Sequence, residues 1–219
     1  MKLGILGGTF DPIHFGHLRT AEELCQGLGL EKVYLIPSAS PPHKNNDPIV
    51  SFQHRLNMVR MAVEDTPLLE VMDLEGKRPG LSYSIETLQE IHNMFDPAPE
   101  LFFILGTDAF LEIETWKEYR KLFDYAHFIV IQRAGHEEKN FTPFLKKVRE
   151  DVAATENPKV YTTSSGMTIM IMSSTFLEIS STRIRQMLVT GKSVHFLLPE
   201  TVRKYIMQNG LYKKNAVIR

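Results

Sequence analysis

Two short runs, Val33-Tyr34-Leu35-Ile36 and Phe102-Phe103-Ile104-Leu105, are apolar without alternation. A strand wetted on one side alternates apolar and polar residues; a strand covered on both faces has no polar side to show. Similar short runs recur along the chain, giving candidate strands at Leu3–Leu6, Lys32–Ile36, Leu69–Met72, Leu101–Leu105 and Phe128–Ile131. Two weaker ones follow at Lys159–Thr162 and Thr168–Met172. Helical periodicity fills the gaps at Gly16–Leu28, Phe52–Glu64, Ser84–Met94, Trp116–Phe123 and Thr142–Ala154. Strands covered on both faces and alternating with helices predict an α/β fold with a doubly wound parallel sheet, Rossmann-like in its organisation. A chain of 219 residues with 43% hydrophobic content suits a single domain of that kind. The expected division is an α/β core over residues 1–175 and a helical tail over residues 176–219 folded against it.

Charge and cysteine content narrow the function classes. The formal net charge is -1, which lacks the basic footprint of a general nucleic-acid binder. Cys25 is the single cysteine, so an internal disulfide and a multi-thiolate metal site are both excluded, and its apolar helical setting reads as a buried small side chain. No apolar run is long enough for a signal peptide core or a bilayer span. A soluble cytoplasmic protein with no membrane or nucleic-acid partner is expected.

Doubly wound sheets bind ligands beyond the carboxyl ends of their strands. That rule directs attention to Gly7–His14, Pro37–Lys44, Gly106–Asp108 and Arg133, with Ser38–Pro48 rich in loop-forming residues. The first of these reads Gly7-Gly8-Thr9-Phe10-Asp11-Pro12-Ile13-His14-Phe15-Gly16-His17. Its glycines do not give the G-x-G-x-x-G of a dinucleotide loop. Nor is there a Walker A loop: Thr190-Gly191-Lys192-Ser193 has Gln186 where the first glycine belongs, and Gly191 reads as a helix C-terminal cap. Adjacent glycines let a ligand approach the backbone, and the helix starting near Gly16 offers free N–H groups and a positive dipole end. His14 and His17, three apart at that helix start, lean to one side, with Gly16 leaving room for a phosphate. Such a convergence suits a polyphosphate. Two other readings stay open from these residues alone, a partial metal site lacking its third ligand and a pair of ordinary surface histidines.

Near the other end, Ile179-Ser180-Ser181-Thr182-Arg183-Ile184-Arg185 opens a helix with Ser180 or Ser181 as its N-cap. Hydroxyls, free amides and Arg183 at one helix start form a second anion site, unless this is a capped helix with solvated arginines.

The stretch Gly7–His17 resembles the signature of the H-x-G-H nucleotidyltransferases, in the form similar to bacterial nicotinate mononucleotide adenylyltransferases. Ile179–Arg185 resembles the I-S-S-T-x-I-R of that family, Pro41-Pro42-His43-Lys44 its P-P-H-K, Gly106-Thr107-Asp108 its G-T-D, and Trp116-Lys117 its W-K. Ser82-Tyr83-Ser84 stands where S-Y-T is usual, and Ala134-Gly135 after Arg133 departs from R-P-G. The resemblance implies adenylyl transfer from ATP to nicotinate mononucleotide, giving deamido-NAD and pyrophosphate. It implies His14, His17 and Arg183 as catalytic groups. ATP would be held by Gly7, Gly8, Thr9, Phe10, Gly106, Asp108, Ser180, Ser181, Thr182 and Arg183, and the acceptor by Lys44, Ser84, Trp116 and Arg133. Mg²⁺ would ride on the ATP phosphates without a protein ligand of its own, and Asp11 would position the turn or touch that metal through water. The rival readings are an acceptor carrying the amide group, another acceptor such as pantetheine phosphate, and a non-catalytic nucleotide sensor. A tRNA synthetase core is disfavoured by the absence of a K-M-S-K-type lysine signature and of a basic surface.

Overall fold

The computed structural model describes residues 1–42, 49–132, 141–175 and 177–213. Lys44 and Arg133 lie outside the described residues, as does most of the loop expected over Ser38–Pro48. The strands are β1 (Lys2–Gly8), β2 (Lys32–Pro37), β3 (Leu69–Val71), β4 (Glu100–Gly106), β5 (His127–Gln132), β6 (Ala153–Ala154), β7 (Val160–Thr162) and β8 (Thr168–Ser173). They form one sheet in the order β3-β2-β1-β4-β5-β8-β7-β6. Strands β1 to β5 and β8 are mutually parallel, while β7 pairs antiparallel with both β8 and β6.

The both-faces reading of the strand runs explains the layering. Leu101, Phe103 and Leu105 of β4 point into one core with Leu3 and Ile5 of β1, whereas Phe102 and Ile104 point into a second core with Leu6. The first core is covered by α4 (Ser84–Met94), α5 (Thr107–Leu111), α6 (Tyr119–Tyr125) and α7 (Thr142–Val148). The second is covered by α1 (Phe15–Gly27), α2 (Phe52–Val63), α8 (Ser181–Val189) and α9 (Glu200–Gln208). A short α3 (Leu74–Lys77) follows β3. Cys25 is buried in the second core, its thiol bonded to the Leu30 carbonyl. Among the described residues, no helix is long and apolar enough to cross a membrane.

Two helix boundaries differ from expectation. Trp116–Phe123 is not one helix: Trp116 closes a 3-10 turn at Ile113–Thr115, Glu118 takes a left-handed backbone (φ 49°), and α6 starts only at Tyr119. Thr142–Ala154 stops at Val148 although Val148 and Val152, four apart, are both buried. There Arg149 is extended, its guanidinium paired with Asp124 and Asp151, and Asp151 accepts from the Ser164 N–H. Those tertiary bonds outweigh helical periodicity and release Ala153–Ala154 to pair with β7. Gly191 does cap α8, at φ 70°, with the Lys192 N–H returning to the Met187 carbonyl.

Candidate active site

Strand order reverses between β1 and β4, and beyond their carboxyl ends lies a cleft of about 420 Å³. Gly7, Gly8, Thr9 and His17 line one side of it, Gly106 its floor, and Ser84 and Trp116 the far side. A Cβ at Gly7 or Gly106 would meet nothing within 4 Å, so at both points bare backbone faces open space. Gly8 is different, since a Cβ there would come within 3.1 Å of the Phe10 ring.

His14, the N-cap of α1, is buried, and its ring stacks on that of His17 with centroids 3.7 Å apart. The room at Gly16, expected to admit a phosphate, is taken by His14 itself: a Cβ at Gly16 would sit 3.0 Å from the imidazole. His17 Nδ1 accepts the backbone N–H of His14 at 3.3 Å, so the neutral ring carries its proton on Nε2. Phe10, buried and left-handed (φ 50°), meets His17 edge-on at 5.1 Å. Burial pulls the His14 imidazole down to about 4, and burial together with the neighbouring His14 pulls His17 well below the usual histidine range. Both rings are therefore neutral hydrogen-bond donors at pH 7.

The start of α8 lies against the turn. Ser180 caps the helix by accepting the Arg183 N–H at 3.2 Å, and the Ser181 hydroxyl donates to the Pro12 carbonyl at 2.8 Å. Arg183 and Thr182 are exposed, and Asp108 is exposed in the first turn of α5. Arg185, not Arg183, is the arginine that reaches the turn, donating to the Asp11 carbonyl at 2.8 Å. The signal for it was available, because the last position of I-S-S-T-x-I-R is Arg185. Asp11 is 3% exposed and accepts the Tyr212 hydroxyl at 2.6 Å, in keeping with a part in positioning the turn. Among the described residues, no cluster of histidine, cysteine or acidic side chains is arranged to hold a metal ion.

On the far side Trp116 is half-buried, its ring edge-on to Phe103 at 6.2 Å. Tyr83 precedes α4 in extended conformation, and the first turn of that helix opens on the cleft at Ser84. The Lys117 ammonium sits 4.5 Å over the Tyr83 ring and bonds Glu86 at 2.6 Å. Sequence reasoning gave Ser82 no role of its own. Its hydroxyl accepts the Ala39 and Ser40 N–H groups at 3.0 and 3.1 Å, and so ties the loop after β2 to the wall of the cleft.

The model of the cytidylyltransferase-like family matches residues 5–187. A protein of Geotalea daltonii named "Probable nicotinate-nucleotide adenylyltransferase" is 44% identical over 213 residues, covering 97% of this chain and 98% of that protein. One of the same name from Desulfatibacillum aliphaticivorans is 46% identical over 97% of this chain and 100% of its own length. The chain belongs to the nicotinate-nucleotide adenylyltransferase family. Solved structures share the fold of these adenylyltransferases: Plasmodium falciparum nicotinic acid mononucleotide adenylyltransferase complexed with NaAD superimposes with a TM-score of 0.72 at 18% identity, over 96% of this chain and 97% of that one.

Proposed function

We propose that this chain, in the cytoplasm, joins ATP to nicotinate mononucleotide, releasing pyrophosphate and giving deamido-NAD. The observation that carries the reading is one cleft with two unlike walls. A bare-backbone turn with the His17 imidazole at the cleft, and the His14 ring stacked on it, faces an aromatic wall that ends in a helix N-terminus.

The phosphate oxygen of the mononucleotide is already an anionic nucleophile and needs no general base. It attacks the α-phosphorus of ATP, and the bond from that phosphorus to the bridging oxygen breaks as pyrophosphate leaves. The work left to the protein is positioning and charge stabilisation. His14, His17 and Arg183 are assigned to the phosphates, with Arg185 added beside the turn. Gly7, Gly8, Thr9 and Gly106 let the nucleotide lie against backbone, and Ser180, Ser181 and Thr182 place the α8 N-terminus alongside. Phe10 supports His17 from behind, and Asp108 is assigned to the ribose side. Lys44 and Arg133 are assigned to the acceptor from the sequence motif alone. Mg²⁺ on the polyphosphate would neutralise charge there, its ligands being phosphate oxygens.

The acid group of the acceptor is assigned to Ser84, whose hydroxyl stands at the positive end of α4. Pyrophosphate release with ATP and a panel of acceptors tests the function: nicotinate mononucleotide should give the highest kcat/KM, ahead of the amide form and pantetheine phosphate. ATP binding without pyrophosphate release from any acceptor would overturn it. Ser84→Ala is expected to raise the KM for nicotinate mononucleotide about tenfold, the scale of a hydrogen bond to a charged group. The KM for ATP should stay unchanged; equal rises for the acid and amide acceptors would overturn the assignment.

The histidine environment sets a pH dependence of its own. The folded pKa of His14 lies below the unfolded value, so between about 6.5 and 4 the unfolded chain binds the extra proton. The contribution of this residue to stability is therefore present above pH 6.5 and lost as pH falls towards 4. In denaturant unfolding of the ligand-free protein, moving from pH 6.5 to 5 should cost the native chain about 2 kcal/mol more than the His14→Gln variant. Equal losses would show that His14 is not held neutral by burial.

A further inference from the structure

The residues just ahead of the histidines form neither helix nor sheet, yet their carbonyls are satisfied by side chains from distant elements. The Thr9 carbonyl accepts from Arg55 of α2 at 2.7 Å, the Asp11 carbonyl from Arg185 of α8 at 2.8 Å, and the Pro12 carbonyl from Ser181 at 2.8 Å. Between the first two lies Phe10 in the left-handed region, a conformation an L side chain keeps only when its surroundings impose it. The Phe15 N–H donates to the Leu197 carbonyl at 3.1 Å. The Asp11 side chain completes the set by accepting the Tyr212 hydroxyl at 2.6 Å, with Arg185 3.8 Å from its other oxygen.

Leu197 and Tyr212 both lie beyond residue 187, where the match to the family model stops. Tyr212 is itself left-handed (φ 60°) just after α9. Tyr212 is not among the residues lining the cleft, and its hydroxyl meets the turn at Asp11. Burial and the nearby Asp11 charge keep the phenol protonated, so it remains a donor across the working pH range.

We propose that Tyr212 is a positioning residue for adenylyl transfer, its hydroxyl fixing through Asp11 the backbone that presents His14 and His17. This rests on the function proposed above. Tyr212 is then a clamp on the catalytic turn. A histidine displaced by a fraction of an ångström still binds ATP, but aims its N–H poorly at the charge that develops in the transition state.

Tyr212→Phe in the full-length chain keeps the ring and deletes one hydroxyl. The expected result is a kcat about tenfold lower, with the KM values for ATP and nicotinate mononucleotide within twofold of the parent. The imidazole Cε1–H resonances of His14 and His17 should shift in the ligand-free protein. Because Tyr212 acts through Asp11, adding Tyr212→Phe to Asp11→Asn should lower kcat no further. Assays well below both melting temperatures separate positioning from partial unfolding. Unchanged kcat, unmoved histidine resonances, or losses that multiply in the double variant would each overturn the proposal. If the parent chain makes no deamido-NAD, the functional reading fails instead, and the histidine resonances still decide whether Tyr212 holds the turn.

Discussion

In a coupled pyrophosphate assay with ATP and nicotinate mononucleotide, His17→Ala is expected to turn over roughly 100- to 1,000-fold more slowly than the parent, about 2.7–4 kcal/mol of barrier. The size follows from what this imidazole has left to give. Its Nδ1 is occupied by the His14 N–H, so Nε2–H is the donor available to a phosphate oxygen at the cleft. The stacked His14 ring and the edge-on Phe10 ring hold its plane, so little reorganisation is needed as charge develops. Low basicity makes it a neutral donor ahead of ATP, not a cation that would need its own solvation. The fold should survive, because His17 is only half-buried and its loss frees a single long hydrogen bond. An unchanged far-UV spectrum with kcat within threefold of the parent would remove His17 from the catalytic role.

The parts of this site that were legible in the sequence are those written locally. Val33–Ile36 and Phe102–Leu105 betrayed strands covered on both faces, and from these followed the parallel sheet, its crevice, and a turn of glycines opening on it. The antiparallel edge was not legible in the same way. Strand β6 has only two residues, and its pairing with β7 is set by the Arg149–Asp151–Ser164 bonds and not by any pattern within it. Arg183 and Arg185 illustrate a different limit. Two residues apart on a helix, they point about 200° apart, and which one meets the turn depends on how Ile184 is buried. The space over Gly16 was read as a ligand's, because a sequence cannot say that the neighbouring His14 ring folds back over it. Least legible of all was Arg55, a position within the helix read over Phe52–Glu64 that sequence reasoning did not single out.

Arg55→Ala should be the most destabilising single change near the cleft. The side chain is 1% exposed, and its guanidinium serves carbonyls from three separated segments: Val50 at 2.9 Å, Thr9 at 2.7 Å and Ala39 at 3.3 Å. The Phe52 ring, itself packed where a Cβ on Gly76 would clash, lies 5.7 Å from the same group. Burial drags the guanidinium below its usual range, an effect that the Asp11 charge opposes. Alanine would leave buried carbonyls without donors and Asp11 with less compensating charge, a loss of about 3–5 kcal/mol. In a chain of this size that lowers Tm by on the order of 10 °C. Activity should fall as well, measured far below the new Tm, because Thr9 lines the cleft and Ala39 belongs to the loop that Ser82 ties to its wall. Arg55→Lys separates the two effects, since an ammonium keeps the charge but cannot reproduce the planar fork to three acceptors. It should recover part of the stability and little of the kcat. A Tm within 2 °C of the parent for Arg55→Ala would mean that water satisfies these carbonyls, and that the turn is held from α8 and Tyr212 alone.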